Sequence, residues 1–281
     1  MTEESRNPRT FRRTLTRGAL AAAVTAACAV AALPATAQAA SDPVPMIIGG
    51  DEATGPYDFV TAIEMTRDDG VARFRCGGSL IDEEWVVTAA HCVSDRETGE
   101  VIDASLFHAR VGSLDRTSGG STAEVSEVYV HPDYFDLDQP RQSDLALLHL
   151  DRAVPNEPVP IARSTGRPGT QLRILGWGYE SNDATELPTT LKQIDTTVLP
   201  HRECLDGGEW EWTEGDICAD NPEDIYGPCG GDSGSPGLLW VRDHWELAGA
   251  DSRSLGDCGV TTEVLTGIPN FRDWIEDTIA G

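Results

Sequence analysis

Basic residues are scarce in this chain. Lys and Arg number 21 against 47 Asp and Glu in 281 residues, a formal net charge of −26. Nucleic acid and anionic lipid both reward Lys and Arg, so the balance excludes function on either surface. No apolar run reaches the ~20 residues needed to span a bilayer. CxxC and HExxH patterns are absent and the six His are scattered, so no metal and no cofactor is expected. Aromatics make up only 6% of the chain, whereas Gly (28) and Cys (7) are plentiful and hydrophobic residues reach 40%. That composition fits a soluble, loop-rich, bridged β-protein.

Residues 1–39 follow a separate pattern. Arg6, Arg9, Arg12, Arg13 and Arg17 lead into the apolar run Ala19 to Leu33, followed by Pro34 and Ala37-Gln38-Ala39. This reads as a secretory signal peptide, with the Sec route favoured over the twin-arginine route because Phe11 precedes Arg12-Arg13. Cys28 is a poor lipidation site and leaves with the leader. Without residues 1–46 the formal charge is −28, which we read as a solubility device. The Cys at 76, 92, 204, 218, 229 and 258 then form an even set in an exported chain, and about 15 pairings are open to six thiols.

Strand-length apolar runs recur between turn formers such as Asp69-Gly70 and Ser118-Gly119-Gly120. They cover residues 59–65, 78–81, 85–88, 107–111, 124–130, 145–150, 171–175, 193–199, 237–241 and 246–250. This spacing predicts an all-β sandwich or barrel. One helix is expected at the C-terminus, with Asn270 as N-cap, Asp273 in the first turn, and Phe271, Trp274, Ile275 and Ile279 on one face. The Pro-rich stretch Ala153 to Pro168 reads as a crossing between two halves.

Three segments carry chemistry. His91 follows the buried strand Trp85-Val86-Val87 and precedes Cys92, which would hold it rigidly, although a lone His is more often structural. Ser233 sits in Cys229-Gly230-Gly231-Asp232-Ser233-Gly234-Ser235-Pro236, where glycines allow backbone amides to converge on a developing oxyanion. Asp144 opens the run Leu145 to Leu150 and needs a hydrogen-bonding partner if that strand enters the core. Imidazole is the natural one.

In the order His91, Asp144, Ser233 these segments resemble the trypsin/chymotrypsin-like serine peptidases, of the secreted bacterial type. The resemblance extends to Ile47-Ile48-Gly49-Gly50, Cys76-Gly77-Gly78-Ser79, Gly176-Trp177-Gly178, Ile217-Cys218-Ala219 and the final helix, and so covers residues 47–281. It implies two packed six-stranded antiparallel β-barrels, about 47–165 and 166–281, the second with the terminal helix. By the same resemblance His91, Asp144 and Ser233 are the catalytic triad, Gly231 and Ser233 supply the oxyanion hole, and Ser252 supports Asp144. The implied disulfides are Cys76–Cys92, Cys204–Cys218 and Cys229–Cys258. Cleavage after Met46 would remove a short propeptide, residues 40–46, and free Ile47 to pair with Asp232. The implied partners are a protein or peptide substrate and an activating protease, and the mature form is expected to be a monomer.

Substrate choice departs from the pattern. The expected pocket residues are Gly227, Pro228, Asp251, Ser252, Arg253 and Ser254, and no acid stands at the floor position, Gly227. Asp251 on the wall would attract a basic side chain, whereas Arg253 would favour an acidic one, so the residue preceding the scissile bond stays open. Trp210 and Trp212 are read either as substrate contacts or as local packing. The alternative function is a catalytically inactive homologue that uses the scaffold as a binding module.

Overall fold

The computed structural model describes residues 47–134, 143–205 and 212–281. The expected leader, Cys28, the propeptide and Trp210 lie outside them. The described residues are all-β apart from 3-10 turns and one short helix.

After the two-residue strand β1 (Asp51–Glu52), six strands close a barrel: β2 (Val60–Thr66), β3 (Ala72–Asp82), β4 (Trp85–Thr88), β5 (Phe107–Val111), β6 (Ser121–Val130) and β7 (Ala146–Leu150). Their order is β2-β3-β4-β7-β6-β5, and β5 returns to pair with β2 from Thr61–Val111 to Met65–Phe107. The burial pattern follows the pleat. Phe107, Ala109 and Val111 of β5 point inward while His108 and Arg110 lie between them at the surface. In contrast, β4 is buried throughout, which suits its unbroken Trp85-Val86-Val87-Thr88 run.

The second half comprises β8 (Gln171–Gly176), β9 (Lys192–Thr197), β10 (Ile217–Ala219), β11 (Pro236–Val241), β12 (His244–Ser254) and β13 (Glu263–Gly267). With β1 they form a seven-stranded sheet, ordered β1-β9-β8-β11-β12-β13-β10. This sheet is a half-barrel where a second six-stranded barrel was expected. Its edges meet at one bridge, Val198 to Ala219, flanked by the Leu199 amide on the Cys218 carbonyl (2.7 Å) and the Asp220 amide on the Thr197 carbonyl (2.9 Å). Ile47, Leu172, Ile174, Ile217, Leu239 and Leu265 fill its core. Although residues 47–52 open the segment assigned to the first barrel, Ile47 is buried in this second core and β1 pairs with β9.

The Pro-rich stretch falls within the connection from β7 to β8 and leans on β12, where the Ala162 amide donates to the Leu247 carbonyl at 2.8 Å. β3 reaches the second half at Gly77, whose amide donates to the Ser233 carbonyl at 2.9 Å. A Cβ at Gly77 would stand 2.0 Å from Ser235 Oγ, so only glycine permits this approach.

Helix α1 (Arg272–Ala280) ends the chain and buries Ile275 against the first core, with Phe271, Trp274 and Ile279 beside it. Asp273 occupies its first turn, as expected, but Asn270 does not cap it. A 3-10 turn, Ile268–Phe271, precedes the helix, and the Asn270 amide instead donates to the carbonyls of Gly215 (2.8 Å) and Gly267 (3.2 Å). Among the described residues no helix is long and apolar enough to cross a membrane.

Candidate active site

His91 lies in a 3-10 turn, Ala90–Cys92, that begins just past β4. Its neighbour Cys92 is bonded to Cys76 of β3, and Ser94 Oγ donates to the Ala90 carbonyl at 2.7 Å, so the turn is fixed on both sides. Asp144 stands two residues before β7, the strand that pairs with β4, and this pairing brings the two residues together. Asp144 Oδ2 accepts from His91 Nδ1 at 2.7 Å and Oδ1 accepts from the His91 backbone amide at 2.9 Å. Because its partner is a carboxylate oxygen, Nδ1 carries the proton and Nε2 keeps a lone pair.

Ser252 of β12 completes the cradle, with its Oγ donating to Asp144 Oδ2 at 2.7 Å. Burial pushes the Asp144 carboxyl up, but the His91 ring and amide and the Ser252 hydroxyl outweigh it and hold the group at about 2. It is therefore an anion with every oxygen engaged.

Ser233 comes from the loop before β11. Cys229, bonded to Cys258, anchors one end of that loop, and the amides of Gly234 and Ser235 are taken by the carbonyls of Asp251 and Asp232. The amides of Gly231 and Ser233 have no acceptor among the described residues. His91, Gly230 and Ser233 together wall two adjoining cavities, of about 540 and 300 Å³. The structure thus brings all three chemical segments to one cleft, two from the first barrel and one from the second sheet.

Beneath this loop Asp232 is fully buried. Its Oδ1 accepts from the Gly178 amide (2.7 Å) and its Oδ2 from the Cys229 amide (2.9 Å), and burial pushes the carboxyl up to about 7. A Cβ on Gly178 would lie 2.1 Å from Oδ2, which explains the small residue after Trp177.

The trypsin family profile matches residues 47–275. The chain belongs to the trypsin family. Among its relatives, anionic trypsin of Canis lupus familiaris is 35% identical over 216 residues, 73% of this chain and 80% of the relative. Kallikrein-14 of Homo sapiens is 30% identical over 218 residues, covering 74% and 75%. Thrombin-like enzyme acutin of Deinagkistrodon acutus is 29% identical over 244 residues, covering 84% and 97%.

In this trypsin-family chain the three disulfides join Cys76 to Cys92, Cys204 to Cys218 and Cys229 to Cys258, the pairing that the resemblance implied. The smaller cavity is lined by Asp251, Ser252, Arg253 and Ser254, but Gly227 and Pro228 are not among its lining residues. Gly227 instead pairs with Ile48, its amide donating to the Ile48 carbonyl at 2.9 Å. Arg253 does not present a bare charge to substrate. It is buried, with Nη2 on Asp216 Oδ2 (2.5 Å) and Nη1 on Ser252 Oγ (3.0 Å).

Trp212 packs locally. Its Nε1 donates to the Asp216 carbonyl at 2.7 Å and its ring lies 4.8 Å from that of His201. Cys76, His91 and Cys92 cluster within 4.8 Å, but both sulfurs are in a disulfide and offer no thiolate to a metal. Two residues lining the smaller cavity, Arg96 and Glu263, escaped sequence reasoning. Glu263 enters the cavity wall from β13, and its signal was an acid directly before the buried pair Val264-Leu265.

Proposed function

We propose that the chain is a secreted serine endopeptidase that hydrolyses peptide bonds through an acyl-enzyme intermediate. The observation that carries this reading is the His91 ring, held by Asp144 at 2.7 Å and sharing two cavities with Ser233. Ser233 Oγ attacks the scissile carbonyl carbon while His91 Nε2 takes the hydroxyl proton. The oxyanion accepts hydrogen bonds from the Gly231 and Ser233 amides. Collapse breaks the C–N bond as His91 passes its proton to the departing amine, and a water molecule repeats the sequence to release the acid. Asp144 stays ionised throughout, orienting the ring and stabilising the imidazolium, which is the general template for this family.

Relatives named as a trypsin and as a thrombin-like enzyme support a peptidase. These named relatives are eukaryotic and lend no support to the bacterial type. Residues 1–39 serve as the export leader by the Sec route, and three disulfides suit an oxidising, extracellular destination. The working form is a monomer acting on protein or peptide substrates without a cofactor.

The enzyme is made as a zymogen. Cleavage after Met46 by an activating protease frees the Ile47 amine to pair with Asp232. Ile47 is already buried in the second core, and Asp232 accepts two backbone N–H groups with no cation beside it among the described residues, so an ammonium there would relieve a buried carboxylate.

A fluorophosphonate probe tests the catalytic reading. One label per molecule on Ser233, lost in Ser233→Ala together with peptide hydrolysis, is the expected result. A cleaved, folded chain that takes no label would leave the binding-module alternative standing. Full activity in a form that retains Met46 would overturn the zymogen.

A further inference from the structure

We propose that the buried ion pair Arg253–Asp216 is a positioning device for the catalytic residues, locking the Ser252 hydroxyl onto Asp144 and so holding the His91 ring in its working orientation. The inference rests on the serine-peptidase reading and adds two positioning residues to that site.

The pair ends a continuous run of buried hydrogen bonds. Asp216 Oδ2 accepts from Arg253 Nη2 at 2.5 Å, and Arg253 Nη1 donates to Ser252 Oγ at 3.0 Å. Ser252 Oγ donates to Asp144 Oδ2 at 2.7 Å, and that same oxygen accepts from His91 Nδ1 at 2.7 Å. All these residues are buried. Neighbours in sequence do not meet on a regular strand, where successive side chains point to opposite faces. β12 is irregular at this point, because Asp251 pairs with Leu265 and Arg253 with Val264, two steps on β12 against one on β13. An extra residue of this kind re-aims a side chain. Here it lays the Arg253 guanidinium against the hydroxyl beside it.

The direction of the run follows from what each group can do. A guanidinium only donates, so the Ser252 oxygen accepts from Arg253 and its single proton is left to Asp144. Without Arg253 that hydroxyl is free to rotate, and Asp144 loses a donor on the oxygen that holds the ring. Arg253 is held in turn. Asp216 stands just before β10, and its Oδ2 also accepts from the Thr213 amide (3.0 Å) and hydroxyl (2.8 Å), while its carbonyl accepts from Trp212 Nε1 at 2.7 Å.

Stability alone explains this pair poorly. Two buried charges cost desolvation, and apolar residues of similar volume often serve a core as well or better. Burial pushes the Asp216 carboxyl up against the pull of Arg253 and Thr213, so the cation is what favours its charged form. The contact on Ser252 gives the charged pair a task that an apolar pair could not perform.

The fluorophosphonate reaction reads the site whatever peptide it prefers, because its rate depends on how well His91 activates Ser233. Replacing both partners, Arg253→Met with Asp216→Asn, leaves no lone buried carboxylate. This double variant should label on Ser233 to the full extent but about five- to tenfold more slowly. Arg253→Lys, which offers a point charge in place of a planar fork, should recover the rate only in part, and it carries the same test if the double variant does not fold. In a Ser252→Ala background the pair replacement should slow labelling no further. Costs that multiply there, or an unchanged rate in the double variant, overturn the proposal.

Proton NMR of the His91 Nδ1 hydrogen supplies a readout that needs no catalysis. Its exchange with water should quicken to a similar degree in the double variant and in Ser252→Ala. A labelled wild type whose double variant exchanges no faster would overturn the proposal. Quickened exchange in a chain that takes no label would sink the catalytic reading and leave the positioning pair intact.

Discussion

Asp144 concentrates the chemistry of single residues. Its two oxygens accept three hydrogen bonds, from the His91 ring, the His91 amide and Ser252, in a setting almost closed to water. Asp144→Asn replaces one acceptor with an amide donor and inverts the ring tautomer, so kcat is expected to drop by on the order of 10² to 10⁴ with little change in KM. The same residue shapes acid stability. Its folded value of about 2 lies below the ordinary 3.8, so its contribution is complete above about pH 4 and is lost as pH falls toward 2. Urea midpoints of wild type and Asp144→Asn should therefore converge across that window, and parallel curves would refute the assignment. His91, Asp144 and Ser233 were legible because each sits in a distinctive local setting. Glu263 was not, because a lone acid ahead of Val264-Leu265 looks like an ordinary strand end until β12 brings Ser254 opposite.

At the scale of elements, β2, β4, β5, β7, β8, β9 and β11 were legible within a residue or two, whereas β3, β6 and β12 run three or more residues beyond their expected bounds. Trp85–Thr88 and Phe107–Val111 match their expected bounds. The strands that escaped were β1 with two residues, β10 with three, and β13, where only Val264 and Leu265 are strongly apolar. β1 and β10 are defined by partners far along the chain, which no local pattern reveals, whereas β13 pairs with its neighbour β12 and escaped because its apolar stretch is so short. β3 was longer than expected because Ala72 to Arg75 extends its hairpin with β2 beyond the apolar stretch. Helix α1 kept its predicted face but not its cap, since Asn270 is held by Gly215 and Gly267. That face is short, and Ile275 is its one fully buried member. Ile275→Ala should lower unfolding free energy by about 2 to 5 kcal/mol in chemical denaturation, whereas Ile279→Ala, only partly buried, should lose markedly less.

For the whole molecule, the balance of buried carboxyls sets the response to pH. Asp232 at about 7 and Glu263 at about 8 both stand above their ordinary values, so each stabilises the fold most below about pH 4 and loses that contribution as pH climbs through its folded value. The uncleaved chain should thus lose thermal stability between pH 5 and 9. After cleavage at Met46, a cation beside Asp232 removes its share of that loss, so the cleaved form should melt higher by several degrees at pH 8. Scanning calorimetry of the two forms checks this, and equal melting temperatures would argue against the pairing.

The two halves also differ in how they are fastened. The first barrel is zipped along five register pairs between β2 and β5, but the second sheet is drawn together by a single bridge, with Cys204–Cys218 acting as a clasp beside it. Slow breathing of the native state should therefore begin at that clasp. Deuterium should reach the Leu199 and Asp220 amides well before those of Ala62 or Ile63, and opening the clasp with Cys204→Ala and Cys218→Ala should widen the gap without hastening uptake in the first barrel.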